Sequence, residues 1–118
     1  MVIEVNSENE LNELASRKRL VLVAMIRGVD EDKKRYVTKL LSIIEEESEP
    51  TIYTAIYTQQ GEVLGRPFIE ISLYLDGSQV FSQEGVFEDL ESDLEALKSG
   101  IRETLRSKAI RVRFVKKG

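Results

Sequence analysis

Residues 20–26 have the sequence Leu-Val-Leu-Val-Ala-Met-Ile, in which every side chain is apolar. A strand that alternates apolar and polar residues has one face in water, whereas a continuous apolar run is typical of a strand that is covered on both faces. We therefore predict that residues 20–26 form the central strand of a sheet with helices on both sides.

Helical patterns lie on both sides of this strand. Ser7 precedes Glu10 by three residues, which is the spacing of a helix capping box. After the strand, Gly28 breaks the apolar run and Asp30 is placed to cap a second helix. We expect this helix to end near the glutamates at 45–47. Because acidic side chains are unfavourable at the C-terminal end of a helix dipole, we expect those glutamates to lie in solvent.

The second half of the chain predicts three more strands and a long helix. Residues 51–57 are rich in β-branched and aromatic side chains, and residues 68–75 alternate apolar with polar ones. Asp76-Gly77 is a strong hairpin signal, so residues 79–83 are predicted to return beside the preceding strand. Apolar residues then recur every three or four positions from about residue 88 to 107, which predicts a helix.

Together with a short strand at residues 2–5, these elements predict one α/β domain over residues 1–107. The expected architecture is a mixed β-sheet flanked by helices. Residues 108–118 are predicted to be a basic tail or a short edge strand, because Ile110, Val112 and Phe114 alternate with other residues, most of them basic.

The composition excludes several kinds of chemistry. The chain of 118 residues contains no cysteine and no histidine, so disulfides, thiolate nucleophiles, iron–sulfur clusters and thiol zinc sites are excluded, and the commonest general base is missing. No P-loop is present either. We therefore expect no enzymatic activity and no cofactor. Many Glu, Lys, Arg and Ile residues beside few Asn and Gln are typical of thermophile proteins.

We see no secretion signal and no apolar stretch long enough for a membrane span, so we expect a cytoplasmic protein. Its charge is divided along the chain. Residues 1–97 carry a net charge of −11, whereas residues 98–118 carry +7. The basic segment fits three interpretations, which the sequence leaves open: solvated or internally paired charge, contact with an acidic protein, or contact with nucleic acid.

The order and lengths of the elements resemble those of the thioredoxin superfamily over about residues 1–107. In redox-active members, a Cys-x-x-Cys motif lies between the central strand and the following helix. Asp30 and Lys33 lie roughly where those cysteines would be, and Ala24 replaces a buried acidic residue of the family. The resemblance thus implies a thioredoxin-like fold in a redox-inactive relative. It also implies a cis-proline before the hairpin, for which Pro67 is the only candidate.

The acidic run Asp30-Glu31-Asp32 is a candidate for binding Mg²⁺ or Ca²⁺, because hard cations accept carboxylate oxygens. Its spacing matches no calcium loop, and acidic residues in a first helical turn also complement the helix dipole. We therefore expect no metal and keep a carboxylate metal site as an alternative.

From these patterns we predict a redox-inactive module that binds a protein partner, with no membrane association. The predicted surface combines the edge that carries the active site in thioredoxins with a C-terminal strand over residues 109–115, expected to be exposed and to pair with a partner or with a second copy in a homodimer. The predicted site residues are Arg27, Gly28, Asp30, Lys33, Arg66, Pro67, Arg111 and Arg113. The alternative is a nucleic-acid-binding protein that uses residues 98–118.

Overall fold

The structure is a computed structural model that describes residues 1–59 and 67–116. Its elements in chain order are β1 (Ile3–Val5), α1 (Glu8–Arg17), β2 (Leu20–Arg27), α2 (Glu31–Glu47), β3 (Ser48–Glu49), β4 (Tyr53–Thr58), β5 (Phe68–Leu75), β6 (Ser78–Glu84), α3 (Leu90–Ser107) and β7 (Arg113–Phe114). None of these helices has the length and hydropathy that a membrane crossing requires. The three helices and the longer strands occur where the sequence predicts them, within a few residues at each end.

Five strands form one mixed sheet in the order β1-β4-β2-β5-β6. β1, β4 and β2 are parallel to one another, whereas β5 is antiparallel to both β2 and β6. β2 lies in the middle of the sheet, as predicted. The architecture is therefore the mixed sheet flanked by helices that the sequence indicates.

Alternate residues of β2 face two separate helical layers. Leu22 and Ile26 belong to the larger core, which β2 shares with α2 and α3. Val21 and Val23 belong to a smaller core on the other face, against α1. Burial of each aliphatic side chain contributes roughly 1.5–3 kcal/mol of transfer free energy. Because β2 buries such side chains on both faces, it stabilises the packing of helices on both faces of the sheet.

A second, two-stranded sheet joins the end of α2 to the C-terminal segment. β3 pairs antiparallel with β7, and the backbone N–H of Val115 donates to the carbonyl oxygen of Glu47 at 2.7 Å. Val112 is buried in the larger core. The C-terminal strand is therefore present, but it is two residues long and is paired within the chain. The prediction of an exposed strand over residues 109–115 is wrong, because core burial and pairing with β3 take up that segment.

Two of the glutamates at the end of α2 are largely buried, contrary to the prediction. Glu45 accepts hydrogen bonds from the backbone N–H and the hydroxyl of Thr54, at 2.8 and 2.9 Å, and also pairs with the amino group of Met1. Glu47 Oε1 lies 2.6 Å from Nζ of Lys98. These partners join α2 to β4, to the N-terminus and to α3, and they offset the unfavourable position of the acids in the helix dipole.

Helix α3 approaches β6 very closely at Gly100. A Cβ atom at Gly100 would lie 2.5 and 2.6 Å from ring carbons Cε1 and Cζ of Phe81. The missing side chain therefore makes room for the aromatic ring. This contact explains why a glycine stands inside α3, where it costs about 1 kcal/mol relative to alanine.

Gly100→Ala is expected to lower the free energy of unfolding by about 1 kcal/mol, because displacement of the Phe81 ring outweighs the gain in helix propensity. In a Phe81→Ala background the same change should instead raise it by roughly 0.5–1 kcal/mol. Urea denaturation of the four proteins in this double-mutant cycle measures the change in the free energy of unfolding in each background. Equal effects in the two backgrounds would show that the ring is not the cause.

Candidate functional site

The end of β2, the start of β5 and the end of β6 lie together at one end of the sheet. We call this region the β2 edge, because the central strand β2 ends there. It comprises residues 27–33, 67–69 and 85–88. Arg27, the last residue of β2, pairs with Phe68 at the start of β5. The backbone N–H of Gly85, just after β6, donates to the carbonyl oxygen of Ile69 at 2.8 Å. The β2 edge therefore brings together three segments that are far apart in the sequence.

Five of the predicted site residues lie at the β2 edge, namely Arg27, Gly28, Asp30, Lys33 and Pro67. Gly28 has a φ of +68°, a conformation that glycine adopts easily and that turns the chain from β2 toward α2. The side chain of Asp30 caps α2 by accepting a hydrogen bond from the backbone N–H of Lys33 at 2.8 Å. Arg66, and with it the Arg66–Pro67 peptide bond, lies outside the described residues.

Arg111 and Arg113 lie elsewhere, so the structure does not bring the predicted residues into one surface. β7 is paired with β3 at the end of α2, a helix of 17 residues and therefore about 25 Å long. Nη2 of Arg113 lies 3.0 Å from Oε1 of Glu49, and Arg111 is exposed. These two arginines are at the opposite end of α2 from Asp30, because the C-terminal segment returns to the distal end of the helix.

The acidic run at the start of α2 has structural roles. Asp30 is the helix cap, and Oδ1 of Asp32 lies 3.3 Å from Nη1 of Arg35. Over residues 1–59 and 67–116, no three His, Cys, Asp or Glu side chains are grouped so that they could hold a metal ion. The carboxylate metal site therefore gains no support from the geometry of the described residues.

Arg27 carries an unused donor at the β2 edge. Its side chain is half-buried, and within the described part of the chain its Nε is buried without a hydrogen-bond partner. The guanidinium carbon lies 5.6 Å from the centroid of the Phe68 ring. Arg27 also lines a pocket of about 370 Å³ together with Asn6, Tyr57, Thr58 and Gln59.

Asp93 is a fully buried carboxylate that the sequence analysis missed. Its Oδ1 accepts a hydrogen bond from the backbone N–H of Phe87 at 2.8 Å, and its Oδ2 accepts one from that of Glu88 at 3.1 Å. Oδ2 also accepts a hydrogen bond from the hydroxyl of Tyr36 on α2. Three donors thus compensate the burial of the charge, and Asp93 fixes residues 85–88 to both helices. Its position four residues before Leu97, on the apolar face of α3, was the signal available in the sequence.

Phe87 is the second residue that the sequence analysis missed. Its side chain is 73% exposed, although its backbone is held by Asp93. Nζ of Lys33 lies 3.4 Å from Oε1 of Glu88, so this turn lies beside the start of α2. A large aromatic side chain that is exposed on an ordered turn is typical of an anchor for a protein interface, since its backbone loses little further freedom on binding.

Asp93→Asn is expected to lower the free energy of unfolding by about 2–3 kcal/mol, because a charge-assisted acceptor of three hydrogen bonds is lost inside the protein. Asp89→Asn is the matched control: Asp89 is the exposed cap of α3, and asparagine caps helices almost equally well. Urea denaturation measures both changes, and amide hydrogen exchange at residues 87 and 88 should accelerate only in Asp93→Asn. Equal losses in the two variants would contradict the role assigned to Asp93.

The hydroxyl of Tyr36 predicts a loss of stability at alkaline pH. Burial, followed by the hydrogen bond to Asp93, raises the pKa of Tyr36 well above its usual value of about 10. Above pH ~10 the unfolded chain ionises this group while the folded chain keeps the proton, so its stabilising contribution is complete below that pH and is lost as the pH rises.

Tyr36→Phe should therefore reduce the fall in stability between about pH 9 and 11, measured by urea denaturation at each pH. Part of the fall should remain, because burial also raises the pKa of Tyr74. A Tyr36→Phe profile parallel to that of the parent protein would contradict the assignment.

Comparison with solved structures relates this fold to thioredoxins. Oxidised thioredoxin from Plasmodium falciparum is similar with a TM-score of 0.57 and 17% sequence identity, over 82% of this chain and 94% of that chain. A cysteine-to-serine mutant of Entamoeba histolytica thioredoxin gives a TM-score of 0.56 and 16% identity, over 87% and 99% of the two chains. A mutant thioredoxin from Halobacterium salinarum gives 0.55 and 19%, over 83% and 88%.

No protein-family model matches the chain, and no curated protein sequence matches it significantly. The similarity therefore concerns the fold, which is carried by the order of strands and helices and not by a shared motif. Thiol–disulfide exchange requires cysteine, and the chain has none. This chain thus has a thioredoxin-like fold that lacks the Cys-x-x-Cys motif.

Proposed function

We propose that this chain is a redox-inactive, non-enzymatic module that binds a protein partner at the β2 edge. The observation that carries the proposal is Phe87, a large aromatic side chain exposed to solvent on a turn whose backbone is fixed. An exposed aromatic ring contributes nothing to the core of this protein, whereas its burial against a partner removes a large apolar area from water.

The fixed backbone around Phe87 favours binding further. Gly85 donates to Ile69, and Asp93 accepts hydrogen bonds from the two residues 87 and 88. Because this turn is already ordered, a partner need not supply the free energy of ordering it. Phe87 is therefore suited to act as the central anchor of an interface.

Arg27 supplies a polar contact at the same edge. Arg27 lines the pocket at this edge, so its guanidinium group is placed to pair with a carboxylate of the partner. Asp30 and Lys33 are already engaged, in the cap of α2 and in the ion pair with Glu88. These two residues shape the edge, and we assign them no chemical step.

Homodimerisation is a separate part of the prediction. With the C-terminal strand paired to β3, the longest strand at an edge of the described main sheet is β6. A second copy would therefore pair along β6 and not along residues 109–115. Sedimentation equilibrium of the protein measures the oligomeric state directly.

Phe87→Ser is expected to weaken partner binding about 30-fold, which corresponds to the loss of an interface anchor worth about 2 kcal/mol. Partners are captured from native extract with the immobilised parent protein, identified, purified and titrated calorimetrically. Arg27→Glu should also weaken binding. Ile3→Ser is the matched control, because Ile3 is another exposed apolar residue but lies on edge strand β1. A partner that is retained by both Phe87→Ser and Arg27→Glu would refute binding at the β2 edge.

A further inference from the structure

A second concave surface, which we call the arginine pocket, lies at the C-terminal end of α3. It has a volume of about 410 Å³ and is lined by Arg102, Arg106, Ala109, Ile110, Arg111 and Val112. Two arginines come from the last turns of α3 and the third comes from the segment that leads to β7. The pocket therefore combines three guanidinium groups with an apolar wall.

The charges of the arginine pocket are not neutralised within the described part of the chain. Arg102 and Arg111 form no ion pair there, and Nη1 of Arg106 is 3.8 Å from Oε1 of Glu103, with both side chains exposed. An exposed ion pair of this length contributes little. The neighbouring cations Lys98 and Arg113 differ, since each is paired with a glutamate within the chain. An anionic ligand would thus relieve the repulsion among three like charges.

A shallow groove continues from the arginine pocket along α3. It has a volume of about 340 Å³, shares Arg102 with the pocket, and is lined by Glu47, Glu91, Leu94, Glu95, Lys98, Phe114 and Lys116. Its charge changes along the helix, from Arg102 near the pocket to Glu95 and Glu91 farther away. Leu94 and Phe114 provide apolar contacts between these charged ends.

This change of charge indicates the class of ligand. A nucleic acid strand that left the arginine pocket along the groove would bring its phosphates toward Glu95 and Glu91, where like charges repel. A peptide, unlike a nucleic acid, does not carry a charge on every residue. Its acidic, apolar and basic residues can therefore each contact a complementary part of the pocket and groove. The observations therefore favour a protein segment over a nucleic acid.

We propose that the arginine pocket and the adjoining groove bind a short peptide segment of another protein. Its acidic residues enter the pocket between Arg102, Arg106 and Arg111, and an apolar residue packs against Leu94 and Phe114 in the groove. A basic residue at the far end of the peptide meets Glu91. The arginine pocket lies at the opposite end of α3 from Phe87, whereas the far end of the groove, at Glu91, is close to Phe87 in the sequence. The arginines of the pocket can therefore be changed without altering the β2 edge.

The test uses the full chain and a fluorescein-labelled hexapeptide of three glutamates, two leucines and a lysine, with binding followed by fluorescence anisotropy. The double variant Arg106→Glu/Arg111→Glu should weaken binding by about tenfold or more. The matched control is Arg17→Glu/Arg35→Glu, which has the same net charge and changes exposed arginines on α1 and α2. It should weaken binding by less than about twofold, because only long-range charge is altered. Thermal unfolding checks that both variants are folded.

A fluorescein-labelled single-stranded oligothymidylate serves as the competing class of ligand and is expected to bind more weakly than the peptide. Three results would overturn the proposal: no binding of the peptide at low salt, equal losses in the two double variants, or tighter binding of the oligothymidylate. The last result would assign the basic segment to nucleic acid. Loss of peptide binding in Arg106→Glu/Arg111→Glu alone, with the control unchanged, supports the site.

Discussion

Burial of β2 on both faces is the constraint on which the rest of this structure depends. From Leu20 to Ala24 every residue is buried, and its side chains alternate between two cores. Because an exposed face would leave several aliphatic side chains in water, helices must cover the sheet on each side. The positions of α2 and α3 on one face, and of α1 on the other, follow from this strand. So does the location of the β2 edge, since α2 can begin only after β2 has ended.

Much of this architecture could be predicted because the signals are local. The apolar run of β2, the caps at Ser7 and Asp30, and the turn at Asp76-Gly77 each act within a few residues of the chain. The placement of Gly28, Asp30, Lys33 and Pro67 at one edge follows from the same signals. A resemblance in element order therefore sufficed to predict a fold that the thioredoxin structures share.

The features that sequence reasoning missed depend on partners far apart in the chain. In a helix considered alone, Glu45 and Glu47 oppose the helix dipole, but Thr54 donates hydrogen bonds to Glu45 and Lys98 pairs with Glu47. One of the three donors to the carboxylate of Asp93 is likewise distant, since the hydroxyl of Tyr36 comes from a residue 57 positions away. Such pairings depend on tertiary packing, and the periodicity of residues within one element does not predict them. The same holds for β7, whose short pairing with β3 depends on where α2 ends.

The two ends of the molecule have different physical character. At the β2 edge an aromatic ring stands on a turn that is held by hydrogen bonds, and an arginine ends the central strand, whereas at the end of α3 three guanidinium groups lie beside an apolar wall. The 17-residue helix α2 separates these regions by about 25 Å. This distance separates the β2 edge from the arginine pocket, so a change to the arginines of the pocket should leave the local contacts of the β2 edge intact.

The close approach of Gly100 to Phe81 has a consequence for the evolutionary record of this protein. A larger residue at position 100 must displace the ring at position 81 at a cost in stability, since the two share a volume between α3 and β6. In an alignment of relatives, we expect these two columns to covary in size, with alanine or serine at 100 accompanied by a smaller side chain at 81.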